Sequence, residues 1–532
     1  MSGKHFLSAR TLSRSTGLEV TVHQVIEGKP IRQEQKLQTL RRYIDKHPSG
    51  WKKRLEAATL LFQAGRWEEA ALHFQVVIAN RPQELEAKLS LAKIYELQDR
   101  LPEAEKEYRE AVTLIPDEPT RLHVQGMLEA SHGRSPSAIE AFKAALTTSS
   151  SHSSASLLAL AREQLRSDNT VAALESIHTL LLSDPQNIPA LLLRHSAERI
   201  AGLFIDADDT LMHLESIAFD NPYVLAKSIE DRCRKRLVSG PEGKRTHQRL
   251  IKLIDELPQS WEAKRIELFY ASVTGDLARA VSLAQGYTAM YAANPMAWYL
   301  LAQCLFWSND LEEASAAALH AISLDKSQRQ YYDLALSINI ERNNRPVLQM
   351  VVAQLLDTFA DQWSTYATAG RIMAEVFGKS DRALMISEQA IALQPAISQA
   401  WLTHARTAMI AGASAIAEKA FTEACSKIDS NKKYYHCIGG IVWYAELQKT
   451  LGRHSQSLQL FHQAEQYASA LLPYEPATAN YWLGRAYAGY GSDSNALAAF
   501  EASFEQTITV PLRHHIGQWI RSLESVGGNS LH

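Results

Sequence analysis

Residues 51–84 read WKKRLEAATLLFQAGRWEEAALHFQVVIANRPQE. Apolar residues at helical spacing include Ala57, Ala58 and Leu61; Gly65 follows, and a second run carries Trp67, Ala70 and Phe74 before Pro82. A slide of 34 residues brings back Leu91, Ala92, Tyr95, Asp99, Leu101, Ala104, Tyr108 and Pro116. A second slide of 34 finds Gly126, Gly133, Ala138, Phe142 and Ala145. One period held over three frames marks a repeat, and a repeat decides the architecture before any domain is drawn.

Each frame predicts two antiparallel helices. The first is amphipathic and ends near the glycine; the second presents a small residue where two helices approach closely, then an aromatic one turn later. Pro82 and Pro116 stop the second helix, because proline has no N–H to continue it and pushes the preceding residue out of the α region. The small position continues at Ala173, Thr210, Thr246, Ala280, Ala314, Leu348, Ala383, Ala417, Ser457 and Ala496, and turn glycines recur at Gly275, Gly378, Gly412, Gly452 and Gly491. The register is weakest at Thr210, Thr246 and Leu348. Two units are expected to depart from the period: the second helix after Gly275 extends to Pro295, and the unit after Tyr434 runs long to about Pro476.

These residues resemble the tetratricopeptide repeat, a helix–turn–helix of 34 residues with small, aromatic and proline positions at these places. The resemblance covers about residues 48–505. It implies an all-α, right-handed superhelical solenoid of about thirteen antiparallel helix pairs, capped at both ends. The expected divisions are a leader at 1–30, a capping helix at 31–50, arrays at 51–258 and 259–508, and a capping helix with a loose Gly527-Gly528-Asn529-Ser530 tail at 509–532. Within these, the N-terminal cap is placed at Gln33 to His47 and the C-terminal cap at Pro511 to Ser525. No stretch of about 100 residues is left to house a separate catalytic domain.

Composition narrows the class further. Lys+Arg 55 against Asp+Glu 58 gives a formal charge of −3, too balanced for binding nucleic acid through bulk charge. Cys233, Cys304, Cys425 and Cys437 show no CxxC pairing, which fits a reducing compartment. No run of 18 apolar residues occurs, so no membrane span is expected. Lys4, Arg10 and Arg14 precede the first acid, Glu19, in a serine-rich segment with the cast of an organelle transit peptide. The preferred reading is a disordered leader of a cytoplasmic protein.

The search for chemistry excludes more than it finds. Gly240-Pro241-Glu242-Gly243-Lys244 has two residues between its glycines and Arg245 after the lysine, so it fails as a phosphate loop and reads as a connecting loop. The 19 histidines contain no His-Glu-x-x-His, and His514 and His515 are adjacent and point apart on a helix, so no metal or other cofactor is expected. No Gly-x-Ser-x-Gly elbow stands out, and the chain is read as a non-enzyme. Between Lys227 and Lys252 lie Arg232, Arg234, Lys235, Arg236, Lys244, Arg245 and Arg249 against three acids, a patch that could attract phosphates but lacks interleaved aromatics.

The resemblance implies that the fifth and ninth positions of each unit face the concave groove. In this register the ninth positions include Lys93, Arg162, Arg199, Lys235, Arg406 and Arg485, and the fifth include His123, His195, Arg265, Tyr299 and Tyr481. Arginine suits such a wall because its planar fork donates bidentately to carboxylates and phosphates. The family's carboxylate clamp, a Lys and an Asn at these positions, is replaced by Leu55/Thr59, Leu89/Lys93 and His123/Met127, so a heat-shock co-chaperone role is not implied. The expected function is a scaffold or adaptor that binds a protein or peptide, acidic or phosphorylated, in its groove. The alternatives are an RNA-binding repeat protein using residues 227–252, and an accessory subunit of a modifying transferase.

Overall fold

A computed structural model describes residues 30–63, 66–98, 100–148, 153–258, 260–427 and 437–528. Helix α1 (Pro30–Lys46) precedes a run of helix pairs. Pairs 1 to 4 are α2 (Trp51–Gln63) with α3 (Trp67–Asn80), α4 (Leu85–Leu97) with α5 (Leu101–Leu114), α6 (Glu118–Ser131) with α7 (Ser135–Thr148), and α8 (Ser153–Arg166) with α9 (Thr170–Ser183). Pairs 5 to 8 are α10 (Ile188–Ile200) with α11 (Phe204–Ala218), α12 (Pro222–Arg234) with α13 (Gly240–Glu256), α14 (Trp261–Val273) with α15 (Leu277–Met290), and α16 (Pro295–Ser308) with α17 (Leu311–Leu324). Pairs 9 to 11 are α18 (Arg329–Glu341) with α19 (Arg345–Thr358), α20 (Trp363–Glu375) with α21 (Ser380–Leu393), and α22 (Ser398–Ile410) with α23 (Ser414–Ser426). Pairs 12 and 13 are α24 (Ile438–Thr450) with α25 (His454–Leu471), and α26 (Pro476–Gly489) with α27 (Asp493–Gln506). Helix α28 (Val510–Gly528) packs on α27 and closes the series. The protein is an all-α repeat solenoid of thirteen pairs between two capping helices, with no strand among the described residues.

The turn inside each pair explains why the helices stop where they do. In pairs 3 to 13 one turn residue adopts positive φ: Gly133, Asp168, Gly202, Arg236, Gly275, Asn309, Asn343, Gly378, Gly412, Gly452 and Gly491. Glycine takes this conformation without a Cβ clash, and Asn and Asp tolerate it. Gly65 and Asp99, expected at the same place in pairs 1 and 2, lie outside the described residues, as do the leader through residue 29, Tyr434 and the tail from residue 529. The first helices begin with side-chain caps: Asp117, Asn187, Asn221, Ser260 and Asn294 each accept from a backbone N–H one turn in.

Packing follows the small position. Ala70, Ala104, Ala138, Ala173, Ala280, Ala314, Ala383, Ala417 and Ala496 are each the fourth residue of a second helix and fully buried. Gly126 faces the ring of Phe142, and Gly484 that of Phe500, so closely that an added Cβ would lie under 3.0 Å from ring carbons.

Several boundaries differ from the sequence-based expectation. In pair 5 the small residue is Ala207, not Thr210, because Gly202 supplies the turn and α11 starts at Phe204. Gly240–Lys244 is the first turn of α13 rather than a loop, with Pro241 near its start; this helix begins early, which keeps Thr246 buried at its packing position. Pro295 opens α16, and α15 ends at Met290 with the length of its neighbours instead of running to the proline. The long unit near the C-terminus is real: α25 spans 18 residues. Helix α28 continues through Gly527 and Gly528, beyond the expected cap.

Leucine at Ala207 or Ala314 is therefore expected to overpack the helix contact and cost about 1–3 kcal/mol, read as a lower denaturation midpoint. A neutral result at Ala207 together with a large cost for Thr210→Leu would restore the other register.

Candidate functional site

The superhelix closes on itself after six pairs. Asn294 Nδ2 donates to Gln98 O at 2.6 Å, Gln362 Nε2 to Arg166 O at 3.3 Å and Trp363 Nε1 to Asp168 O at 3.3 Å, all across 195 or 196 residues. Ser364 Oγ donates to the Asp168 carboxylate at the same seam. Pairs 2 and 4 thus touch pairs 8 and 10, and the first helices face a lumen.

A partly open cavity of about 260 Å³ lies in that lumen. Arg234 of α12, Arg265 and Phe269 of α14, Trp307 of α16 and Leu334 of α18 line one side; the other is formed by α26 and the stretch from Gln506 to Leu512. Four successive first helices contributing to one surface identify it as the concave wall. The C-terminal helices lie against that wall rather than extending away from it.

Glu475 joins the two sides. Immediately before α26, its carboxylate accepts from Arg199 of α10 and from Arg234 Nη1 at 3.4 Å. Arg234 also holds Glu230 at 2.8 Å, and Glu230 and Glu262 hold Arg265 at 2.8 and 3.0 Å. Burial opposes charge on Glu230, yet Arg265, Arg234 and Lys227 keep its carboxyl well below the usual range. With Glu230 and Glu262 buried and Arg199, Arg234, Arg265 and Glu475 half-buried, these groups form one network of alternating sign.

The predicted groove residues fall into this setting as follows. Lys93, ninth in α4, is buried and bonded to Glu96 at 2.9 Å. Arg162 of α8 has Nε and Nη2 buried with no hydrogen-bond acceptor among the described residues. His123 meets Ser156 Oγ at 3.0 Å. Arg265 and Tyr299 are fifth in their helices, and Tyr299 packs on Tyr331 with ring centroids 5.3 Å apart. Arg406 pairs with Glu375 at 3.4 Å and lies 4.2 Å from the Trp443 ring centroid. Arg485 bonds Glu446 and the hydroxyl of half-buried Tyr481 and lies over the Trp519 ring of α28.

His195 and Arg199 are displaced from the expected wall positions for the reason found at Ala207, and Lys235 because α12 starts early at Pro222 and ends at Arg234. With the true turns in place, His195 and Arg199 are the eighth and twelfth residues of α10, and Lys235 is the C-cap of α12. Arg199 and Lys235 still converge, through Asp231, which Lys235 reaches at 3.0 Å; Lys235 also bonds Asp208. The 227–252 patch is largely neutralised in the same way: Lys227, Arg232, Arg245, Arg249 and Lys252 each have a carboxylate partner. Sequence reasoning missed Glu475, whose partners are 241 and 276 residues away.

Residues 38–119 and 270–328 match the tetratricopeptide repeat family model. These segments are tetratricopeptide repeats. The pairs between and beyond them repeat the same helix–turn–helix arrangement through α27. A comparison with curated proteins returns no match. Among solved structures, a chain of the APC/C hetero-tetramer Cut9-Hcn1 is similar at 12% identity, with 97% of this chain and 98% of that one covered and a TM-score of 0.43. A chain from the structure of Naa15/Naa10 bound to HypK-THB overlaps at 14% identity, with 98% of each chain covered and a TM-score of 0.31. Neither likeness is strong enough to carry function across. Among the described residues no three His, Cys, Asp or Glu side chains are grouped to hold a metal ion, and no helix is long and apolar enough to cross a membrane.

Two outcomes follow from the network. Glu475→Gln leaves Arg234 with Glu230 and Arg199 with Asp231, and should cost about 1.5–3 kcal/mol, the range for one hydrogen bond to a charged group. Faster amide exchange in α26–α28 would report it; unchanged exchange would show that Glu475 does not fasten these helices. His195 is buried without a partner for Nδ1, and burial, then Arg199, Lys227 and Arg234, hold its pKa well below the usual value. The unfolded chain therefore takes up a proton near pH 6.5 that the folded chain refuses, and stability falls on acidification below that pH by at most about 1.4 kcal/mol per unit. Chemical denaturation of His195→Phe between pH 7 and 5.5 should show a flatter dependence than the parent.

Proposed function

We propose that the chain is a cytoplasmic, non-catalytic scaffold that holds a segment of a partner protein along the concave wall of its solenoid. The supporting observation is the lumen itself: α12, α14, α16 and α18 present aromatic and charged side chains to one partly open cavity. Such a wall is formed before the partner arrives, so binding orders little of the scaffold. Three of the cysteines, Cys233, Cys304 and Cys437, are buried free thiols, in keeping with a reducing compartment.

The predicted contact residues enter this reading unequally. Arg162 retains donors without acceptors and is the one offered for an acidic or phosphorylated group. Arg199, Lys235, Arg265, Arg406 and Arg485 already hold carboxylates, so an acidic partner would have to displace those. Lys93, His123, His195, Tyr299 and Tyr481 shape the wall around them. No observation favours the nucleic-acid or transferase-subunit readings.

A photo-crosslinking residue in place of Gln303, which lines the cavity, should trap the partner, whereas one at Leu182, 72% exposed on α9, should not. Crosslinks from Leu182 alone would move the binding surface to the outside of the solenoid. Arg162→Gln should weaken capture of an acidic partner several-fold while melting is unchanged.

A further inference from the structure

The lumen cavity carries charge of both signs. Arg234, Arg236 and Arg265 line it, and so do Glu230, Asp333, Glu341 and Glu475. Most of these groups answer one another or a neighbour. Glu230 holds Arg234 and Arg265, each at 2.8 Å, and Glu475 holds Arg234 at 3.4 Å as well as Arg199. Glu341 meets His515 Nε2 at 3.1 Å, and Arg236 Nη1 donates to Val273 O at 3.3 Å. An entering anion faces four carboxylates and an entering cation three guanidinium groups, so neither sign of charge is favoured.

Asp333 departs from this balance at one atom. It is the fifth residue of α18 and only 4% exposed. Its Oδ2 accepts from Arg329 Nε at 3.4 Å, one turn back. Arg329 is held in turn by Gln362 and Thr365 at the start of α20, outside the cavity lining. Asp333 Oδ1 has no hydrogen-bond donor among the described residues. A buried acceptor without a donor is costly, and a donor that reaches it recovers that cost. The terminal torsion of an aspartate is broad, so a small turn presents Oδ1 to a group in the cavity. Arg329 already balances the charge of Asp333, so a neutral donor suffices.

The rest of the lining indicates what carries that donor. Phe269 and Trp307, ring centroids 6.2 Å apart, form an aromatic wall, with Phe306, Leu334, Ile508 and Leu512 around it. The volume of about 260 Å³ lies just below the roughly 300–1,000 Å³ of drug-sized pockets, room for an indole-sized group and not for a nucleotide. An aromatic group that ends in N–H or O–H suits such a place, apolar in body and polar at one tip.

We propose that this cavity binds a neutral aromatic group bearing one hydrogen-bond donor, an indole or a phenol, with its ring against Phe269 and Trp307 and its donor on Asp333. The group can be a tryptophan or tyrosine side chain in a protein segment or a free small molecule. The site does not require that the lumen also holds a partner.

Isothermal titration of the full chain at neutral pH, with no partner present, uses indole and benzothiophene, which has the same outline and no N–H. Indole should bind saturably and benzothiophene about tenfold or more weaker, the effect of losing a hydrogen bond to a charged group. Benzylamine and phenylacetate, which add a cation or an anion to one ring, should bind more weakly than phenol. The capped peptide acetyl-Gly-Trp-Gly-amide separates the sources: tighter binding than indole assigns a side chain in a segment, weaker binding a free small molecule. Asp333→Asn keeps an oxygen for Arg329 and offers the cavity an amide N–H, so it should abolish most of the preference for indole over benzothiophene. Gln303→Trp, on the lining of α16, should block indole by filling the cavity while Asp333 stays in place. Circular dichroism of both variants should match the parent. Absence of saturable indole binding, equal binding of benzothiophene, or tighter binding of benzylamine or phenylacetate than of phenol would overturn the proposal. So would an unchanged preference in Asp333→Asn or unchanged indole affinity in Gln303→Trp.

Discussion

The solenoid depends on a contact between helices that only a small side chain permits. At the fourth residue of the second helix a methyl group lets two helix axes approach, and the aromatic residue one turn later fills the space that opens beside it. Ala104 and Tyr108, Ala138 and Phe142, and Ala496 and Phe500 are such couples, all buried. Because each pair repeats nearly the same approach, a small rotation between neighbours accumulates into a superhelix. Pairs six apart then come into register and can bond across the seam, as Asn294 does to Gln98. Leu348, larger than the other residues at this position, is fully buried in pair 9 and shows that the contact tolerates bulk where the partner helix recedes.

Electrostatics in the lumen follow from that curvature. Winding brings the first helices of pairs 5 to 7 against the start of α26, so charges distant in sequence meet where water is scarce. An unpaired buried charge is costly, and the interior answers with alternation: Asp231, Glu475, Glu230 and Glu262 interleave with Lys235, Arg199, Arg234 and Arg265. The wall is therefore polar without being uniformly basic.

Much of the architecture was legible because it is local. The period, the small position and the turn glycines act within a few residues, and they located thirteen pairs and both caps. The register slips in pair 5, where Gly202 precedes Ala207, not Thr210, by the usual five residues; it holds at Ala173, Ala314 and Leu348, although Asp168, Asn309 and Asn343 perform a glycine's task without being glycine. That slip carried Arg199 from the middle of the wall to the end of α10, and the early bounds of α12 put Lys235 at its C-cap. Prolines misled in one direction only, since Pro295 and Pro476 begin helices, as a residue without an N–H can at the first position. The candidate site was far less legible. Whether a cation is free depends on acids hundreds of residues away, and no spacing in the chain announces that Arg199 will meet Glu475.

The seam between turns also changes how such a chain must fold. A solenoid whose repeats touch only their neighbours behaves as a one-dimensional row: it can nucleate anywhere and fray from either end. Bonds from Arg166 and Asp168 to Gln362, Trp363 and Ser364 close a loop of about six pairs, so they form only after the intervening units have settled. Their gain arrives late, as native contacts distant in sequence do, and slows the final step relative to an open array of equal length. Once made, they bind pair 4 to pair 10 mechanically. Pulling on the ends would then extend the chain in large cooperative steps rather than peel it repeat by repeat.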